Sequence, residues 1–382
     1  MGTRAYLDNH TAARPSSRSV DAQSRFFHES WGAVTAPYQM GQDSYFSLAK
    51  SVDEIVQELG GAKGDQFHFC HSGAEAVNAV FFSHYIEEVR ESGRNHILTT
   101  NIEDAPALLS LKRLEKFHCV EKILPVNAQG QITKEMVEEA IKPRTSLLSL
   151  SWANSLTGVV HPVADIAEIC RQKGIRLHVD ASTAIGKLFF HFEDINVDYL
   201  TFDGSLIHAP KGTGGVIVKE GISFHPLVAG GANLHVGGFA AIAVALSEAS
   251  RNFDHLNLET ARLRDMLETG IKRGFSDAEV LFKEVERLPN CTVIAFPGVE
   301  SDALLYLLNR KGVYASMGGG QTQKLFHTLT ACGTDPMLAH CALSFSLSYE
   351  TTEEEIAFAI QTIVESAAKL QRCSAGVFGE NA

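Results

Sequence analysis

Short apolar runs and amphipathic segments alternate along the first part of the chain. Apolar positions recur with helical spacing over residues 52–59, 75–91, 104–117, 134–141 and 163–173. Between and after them lie short aliphatic and β-branched runs at 96–100, 122–125, 146–152, 176–180, 199–202 and 215–219. Several runs are apolar throughout, which is typical of strands covered on both faces. The alternation predicts βαβ units and a mainly parallel sheet.

The pattern changes after a Gly-rich stretch at residues 230–238. Helices are predicted over 239–249, 256–273, 301–310 and 352–372, and strands over 292–296 and 343–347. This mixture favours a compact α+β unit. We therefore expect an α/β protein with a large domain at 1–250 and a small α+β domain at 251–382. An N-terminal arm, 1–20, is expected to pack with the small domain.

Composition narrows the functional classes. Of the 382 residues, 45% are apolar, which is enough for a large core, and the formal charge of −12 comes without a basic cluster. We therefore expect no nucleic-acid partner. Seven cysteines without a Cys-x-x-Cys pair favour reduced thiols and a cytoplasmic location. No apolar run approaches the length of about 18 residues that a membrane span needs, so no membrane association is expected.

Two short motifs suggest ligands only weakly. His68 and Cys70 share one face of a predicted strand, which could begin a metal site, but no further ligands stand at metal-binding spacing, and no metal is predicted. The Gly-rich run from Lys211 to Gly215 precedes a strand rather than a helix. It therefore lacks the context of a nucleotide-binding loop.

Six motifs occur in the order and spacing found in the cysteine desulfurases. They are Tyr6-Leu-Asp-Asn, Ser72-Gly-Ala, Asn154-Ser-Leu-Thr-Gly-Val-Val, His178-Val-Asp-Ala, Ala209-Pro-Lys-Gly-Thr-Gly-Gly, and Phe345-Ser-Leu followed by Thr351-Thr-Glu-Glu-Glu-Ile. The chain thus resembles this branch of the class-V aminotransferases, the fold-type-I pyridoxal-phosphate enzymes, over nearly its whole length. The resemblance implies a mainly parallel seven-stranded sheet flanked by helices, and a homodimer.

Several positions retain residues that the resemblance assigns to the cofactor. Asp180 stands where the family keeps the pyridine nitrogen protonated, and Asn154 where it hydrogen-bonds the ring oxygen. Ser72, Gly73 and Ala74 precede a helix whose free amides could hold a phosphate. Alternative interpretations remain open: Asp180 is also an ordinary strand-end aspartate, and Asn154 an ordinary loop residue.

The turn that carries the family's Schiff-base lysine is altered. Where the family reads Ser-Gly-His-Lys, this chain reads Asp203-Gly204-Ser205-Leu206. Leu206 has no amine and cannot form a Schiff base. Ser205 is at most a weak phosphate donor, and Asp203 is unfavourable. A carboxylate about 4 Å from a phosphate is repelled by roughly 4 kcal/mol per unit charge at an effective dielectric constant near 20.

Other functional positions differ as well. Asp104 stands at the ring-stacking histidine, Thr183 at the glutamine near the ring oxygen, and Ser344 at the arginine that clamps the substrate carboxylate. Gly238 stands where the partner subunit's phosphate-binding threonine is expected. The loop at 315–322, which should present the persulfide cysteine, contains no cysteine. The downstream Cys332 and Cys341 are interpreted as small buried hydrophobes.

Lys211 is the amine nearest to Leu206 along the chain, but the family carries this lysine in addition to its Schiff-base lysine. We therefore do not expect it to serve as a replacement. The leading hypothesis is a desulfurase-like pseudoenzyme, without covalently bound cofactor, that acts as a homodimer through binding or assembly. A protein of sulfur transfer is the expected partner. The alternative is an enzyme with a remodelled site that binds pyridoxal phosphate without a covalent bond.

Overall fold

The computed structural model describes residues 3–230, 234–251, 253–319 and 323–378, with side chains as far as residue 373. The chain begins with a two-residue strand, β1 (Ala5–Tyr6), and two helices, α1 (Ser17–His28) and α2 (Gln39–Glu58). The hydroxyl of Ser16 caps α1 by accepting a hydrogen bond from the amide of Ser19.

Seven strands form one central sheet. They are β2 (Gln66–Cys70), β3 (His96–Thr100), β4 (Val120–Leu124), β5 (Thr145–Ser151), β6 (Arg176–Asp180), β7 (Tyr199–Asp203) and β8 (Gly214–Val218). Their spatial order is β2-β8-β7-β6-β5-β3-β4. Strand β8 is antiparallel to both of its neighbours, and the other pairs are parallel. The predicted α/β fold with a mainly parallel seven-stranded sheet is confirmed.

Helices cover this sheet and bury its strands. After α2 come α3 (Gly73–His84), α4 (Arg90–Ser92), α5 (Ala105–Leu114), α6 (Lys134–Ala140), α7 (Val163–Lys173), α8 (Val236–Arg251) and α9 (Phe253–Gly274). Every residue of β3, β5 and β8 is buried, because helices pack against both faces. The helix predicted over 75–91 is interrupted by a π-helical turn, Tyr85–Val89.

The C-terminal part builds a separate core around smaller sheets. Its elements are β9 (Glu279–Leu281), β10 (Cys291–Ala295), α10 (Ser301–Lys311), β11 (Val313–Tyr314), β12 (Gly318–Gly319), β13 (Gln323–Lys324), α11 (Leu325–Ala331), α12 (Pro336–Ala339), β14 (Ala342–Ser346) and α13 (Glu353–Phe378). Antiparallel strands form a sheet in the order β14-β10-β9. The side chain of Thr352 caps α13 and Glu355 returns a hydrogen bond, as a capping box requires.

Residues 5–9 of the N-terminal arm pack with this C-terminal part, whereas residues 13–20 contact the part that holds the central sheet. Strand β1 pairs in parallel with β11, and Ala5 and Leu7 belong to the same hydrophobic core as Phe345 and Ile356. The predicted domain boundary at residue 250 stays a prediction. Among the helices that the structure describes, none is both long and apolar enough to cross a membrane.

The sequence did not predict the helices near the N-terminus in full. Helix α1 was not predicted, because Ser19 and Phe26 are its only buried residues and few of its residues are apolar. Helix α2 begins at Gln39 rather than at residue 52, since its first turns expose the aromatic side chains of Tyr45 and Phe46. In both helices, apolar side chains are exposed, so the apolar pattern in the sequence does not match the buried face of the helix.

Candidate active site

The functional positions meet at one edge of the sheet. Asp180 ends β6 and Asp203 ends β7, while Asp104 follows β3 by four residues. The carboxyl ends of parallel strands form the usual ligand crevice of α/β folds. Here the crevice is a cavity of about 270 Å³ that is also lined by Asp8 and Leu206. Four carboxylates therefore share a space in which the resemblance places an anionic cofactor.

The carboxylate of Asp203 is bonded on both oxygens. Its Oδ1 accepts hydrogen bonds from the amide and the hydroxyl of Ser205, at 2.9 and 2.6 Å. Its Oδ2 accepts one from the amide of Gly73, at 2.8 Å. These bonds hold the short 3₁₀ turn Gly204–Leu206 against the beginning of α3.

The beginning of α3 is closed by groups of the chain itself. The hydroxyl of Ser72 accepts a hydrogen bond from the amide of Glu75, and the Glu75 carboxylate accepts one from the amide of His71. Position 73 requires glycine, since an added Cβ would lie 2.9 Å from the Cβ of Asp203. The helix dipole therefore already interacts with two carboxylates, those of Glu75 and Asp203.

A phosphate does not fit this helix start in the pose that the resemblance implies. The Gly73 amide is bonded to Asp203, and a phosphate there would face that carboxylate at close range. The donors expected from Ser72, Gly73 and Ala74 are thus reduced, and the hydroxyl of Ser205 is directed to Asp203. The donors at this helix start thus bind the carboxylate of Asp203 instead of a phosphate.

Asp180 is partly buried beside the other acids. Its Oδ1 accepts hydrogen bonds from the amide and hydroxyl of Ser182, at 2.9 and 2.6 Å. Burial, together with the charges of Asp104 and Asp203, raises the pKa of Asp180 to about 7. A protonated pyridine beside this carboxyl would lower the pKa again, so Asp180 keeps the chemistry of a counterion for the ring nitrogen.

Asp104 and Glu103 form a second acidic pair at the same edge. The Asp104 carboxylate accepts a hydrogen bond from the hydroxyl of Ser155 at 2.8 Å, and burial raises its pKa. Glu103 accepts hydrogen bonds from Thr100 and from the amide and hydroxyl of Ser151, while burial raises its pKa to about 7. The sequence motifs did not single out Glu103, which joins β3 to β5 beneath the cavity.

The side chains of Asn154 and Thr183 form hydrogen bonds with the backbone. The Asn154 amide group donates to the carbonyl of Ile102 at 2.9 Å, and its Oδ1 accepts from the amides of Leu156 and Thr157. The hydroxyl of Thr183 donates to the carbonyl of Ala153. Both side chains are buried and shape the loop after β5, so neither has its donors directed into the cavity.

Ser344 lies on β14 at the far wall of the cavity and is buried. Its hydroxyl donates to the carbonyl of Leu156 at 2.6 Å, so it provides no cationic fork for a carboxylate. Cys332 is buried, and burial raises the pKa of its thiol to about 11, as expected for a small core residue. Cys341 was predicted to be buried as well, but it is only partly buried, because it lies in the turn between α12 and β14. Of the loop at 315–322, residues 320–322 lie outside the described part.

Leu206 has a lysine beside it that the sequence motifs did not reveal. The Nζ of Lys187 donates to the backbone carbonyl of Leu206 at 3.3 Å. Lys187 and Leu206 line a second cavity of about 50 Å³, and burial lowers the pKa of Lys187 to about 8. Lys211, the lysine considered from the sequence, is exposed.

His10 completes the wall between the two cavities. Its Nε2 lies 3.0 Å from the amide nitrogen of Asn290, and its Nδ1 lies 3.0 Å from the carbonyl of Ser155. Burial, together with the charge of Lys187, lowers the pKa of His10 to about 4. The ring is therefore neutral, with Nδ1 as the donor and Nε2 as the acceptor.

The remaining predicted positions lie apart from the cavity. The ring of His68 stacks near Phe224, with centroids 4.5 Å apart, and within the described ranges no group of three potential metal ligands occurs. A Cβ on Gly238 would approach His235 and Phe69 to 2.7 Å. Residues 231–233 of the Gly-rich stretch lie outside the described part. Whether a partner subunit reaches Gly238 stays a prediction.

The family model for class-V aminotransferases matches residues 5–358 of the chain. Among curated proteins, a cysteine desulfurase of Sinorhizobium fredii is 32% identical over 380 residues, covering 96% of this chain and 97% of the relative. The cysteine desulfurase NifS of Azotobacter vinelandii is 31% identical over 382 residues, covering 97% and 94%.

Solved structures agree with this similarity. A NifS-like protein superposes with a TM-score of 0.88 at 28% identity, covering 95% of this chain and 99% of its own. A NifS-like protein from Rickettsia africae superposes with a TM-score of 0.83, and its 22% identity bears on the fold alone. The match extends over both the central sheet and the C-terminal part.

Proposed function

Because this chain belongs to the class-V aminotransferases, in the cysteine desulfurase and NifS-like family, we propose that it retains their fold without their lysine-dependent chemistry. It acts instead by binding or by assembly with other molecules. The family uses pyridoxal phosphate, and the chemistry of that group depends on an amine, a phosphate site and a counterion for the ring. Two of these requirements, the amine and the phosphate site, meet an obstacle in this chain.

The hydrogen bond between Asp203 and the amide of Gly73 carries the proposal. It places a carboxylate of the chain at the helix start where a phosphate would be held. The bond is 2.8 Å long, and two further hydrogen bonds from Ser205 keep the carboxylate in place. A phosphate could bind there only by displacing an anion that is covalently part of the fold.

Further positions support the same proposal. Leu206 supplies no amine, and Ser344 supplies no positive charge for a substrate carboxylate. Asn154 and Thr183 use their donors on backbone carbonyls. These positions are adjacent in the fold but distant in sequence, so their combined state is better explained by loss of one function than by unrelated substitutions.

An exposed aromatic surface supports the assembly part of the proposal. Phe27, Trp31, Tyr38, Tyr45 and Phe46 lie on and between α1 and α2, and Trp31 and Phe46 are each 66% exposed. Large exposed aromatic side chains that are close together on a surface are typical of protein interfaces, and the rings of Tyr45 and Phe46 are in contact. We propose that a second copy of the chain covers this surface, with a sulfur-transfer protein as a further partner.

Sedimentation velocity tests the proposed dimer surface. The substitution Trp31→Asp should shift the dimer formed by the wild-type protein toward monomer. An unchanged dimer would exclude this surface as the interface.

Absorbance spectroscopy with added pyridoxal phosphate tests the central proposal. The expected result is no band that survives dialysis, together with no alanine released from cysteine above a buffer control. The variant carrying Leu206→Lys and Asp203→Ser is the constructive control, and it should gain a stable band. A stable band in the unaltered protein, or measurable turnover of cysteine, would overturn the proposal.

A second candidate is an enzyme that holds pyridoxal phosphate without a covalent bond. Its support is Asp180, which stays at the end of β6 and lines the cavity of about 270 Å³. Calorimetric titration with pyridoxal phosphate separates the two candidates. Binding that Asp180→Asn abolishes would favour the second candidate, whereas no heat in either protein would exclude it.

A further inference from the structure

The small cavity behind Leu206 contains an amine without a charged partner. Lys187 lines this space of about 50 Å³, and its Nζ donates to one carbonyl, that of Leu206. Across the residues that the structure describes, Lys187 forms no ion pair with a carboxylate within 4 Å. Glu248 also lines the cavity, but it accepts a hydrogen bond from Ser16 and pairs with Arg18.

Three other polar side chains of the cavity donate their hydrogen bonds to backbone carbonyls. The amide group of Asn257 donates to the carbonyls of Gly186 and Phe253, and that of Asn290 donates to the carbonyl of Leu347. The hydroxyl of Thr260 donates to the carbonyl of Leu256. The donors of Asn257, Asn290 and Thr260 are thus used within the fold, and the nucleophilic group of the cavity is the amine of Lys187.

The size of the cavity limits its ligand. A site of about 50 Å³ exceeds the space that a single water needs but is small for an aromatic ring with a phosphate. Apolar side chains of Ile185, Leu206 and Leu347 line much of it. A small molecule without charge therefore fits its walls better than a charged one, which would lose its hydration.

We propose that Lys187 is a carbonyl-reactive amine and that this cavity admits a small uncharged aldehyde or ketone. The neutral amine attacks the carbonyl carbon, so that a C–N bond forms while the C=O π bond breaks. One N–H proton moves to the carbonyl oxygen, which gives a carbinolamine. The carbinolamine then loses its hydroxyl group and the remaining N–H hydrogen as one water. The net reaction converts an amine and a carbonyl compound into an imine and one water.

This site differs from the position of the family's Schiff-base lysine. That position is occupied by Leu206, whose side chain borders the acidic cavity on one side and the cavity of Lys187 on the other. The inference is independent of the proposed loss of desulfurase chemistry, because it concerns another residue, another cavity and another class of ligand.

Reductive alkylation of the full-length protein tests the proposal. The protein is incubated with limiting acetaldehyde and cyanoborohydride, and ethylation of each lysine is followed by peptide mass spectrometry. Burial lowers the pKa of Lys187 to about 8, so its neutral fraction at pH 7 exceeds that of an ordinary lysine by roughly three hundredfold. We expect Lys187 to react at least about tenfold faster than the exposed Lys211. Equal or slower reaction of Lys187 would overturn the proposal.

Two controls separate the cavity from general reactivity. Ala249→Leu narrows the cavity while leaving the amine, and it should remove the preference for Lys187. In the unaltered protein, pivalaldehyde should show no preference for Lys187, because it is too bulky to enter. If pivalaldehyde labels Lys187 as selectively as acetaldehyde does, the amine reacts outside the cavity and the site is excluded. Lys187→Arg verifies the assignment of the modified peptide.

Discussion

The two cavities that meet at Leu206 bury charges of opposite sign. On one side, Asp104, Asp180 and Asp203 line the larger space, and on the other Lys187 lines the smaller one. The carboxylates are compensated locally, since Ser155, Ser182 and the Gly73 amide donate to them. The amine has one carbonyl acceptor.

The difference shows how the fold tolerates buried charge without forming an ion pair. Burial moves the pKa of Asp180 up to about 7 and that of Lys187 down to about 8, so each group approaches its neutral form. A salt bridge would instead keep both groups charged. Leu206, with His10 and Asn290 beside it, keeps the two groups in separate spaces.

Removing the carboxylate of Asp203 should have the largest effect on the acidic side. Asp203→Ala leaves the amides of Gly73 and Ser205 without their acceptor, so the free energy of unfolding should fall by about 3 kcal/mol. Urea titration measures the change. Ser205→Ala removes one hydroxyl donor and should cost about 1 kcal/mol. A loss below that of the Ser205 variant would show that Asp203 does not hold the turn.

Neutralising Asp180 should stabilise the protein in a manner that depends on pH. The folded pKa lies above the unfolded one, so the wild type loses stability as the pH rises from 4 to 7. Asp180→Asn avoids this loss, and we expect a gain of about 2 kcal/mol at pH 8 that disappears near pH 4. Urea titrations at several pH values measure it. A gain independent of pH would contradict the assigned cause.

Neutralising Lys187 should give a smaller gain in the free energy of unfolding, and this gain should have the opposite dependence on pH. Its folded pKa lies below the unfolded one, so the cost of burying the charge is fully present below pH 8 and disappears as the pH rises to about 10.5. Lys187→Met should gain about 1.5 kcal/mol at pH 7 and nothing at pH 10.5. Lys211→Met, at an exposed position, serves as the control and should change stability by less than about 0.5 kcal/mol.

Sequence patterns predicted the central fold well because burial and periodicity agree there. The predicted segments 96–100, 163–173 and 176–180 coincide with β3, α7 and β6. The pattern failed for α1, where only two residues are buried, and for the first turns of α2, where aromatic side chains face outward. A helix that exposes its apolar side chains is not predicted by a method that looks for one buried apolar face.

The site was predictable only as far as each residue could be interpreted alone. The charge of Asp203 predicted a conflict with phosphate, but not that its carboxylate binds the Gly73 amide 130 residues away. Lys187 was missed because it follows Gly186 in a loop 19 residues before Leu206. Sequence spacing indicates which residues share an element, and it does not indicate which loops meet.

The bond between Asp203 and Gly73 also bears on how the chain reaches its native state in a cell. In a protein whose helix start is completed by a vitamin-derived ligand, the folded population rises with the supply of that ligand. Here the anion is the carboxylate of Asp203, which is part of the chain and therefore always present beside the Gly73 amide in the folded protein. The proposed loss of phosphate binding therefore implies that the maturation of this protein is uncoupled from vitamin supply at that point of the fold.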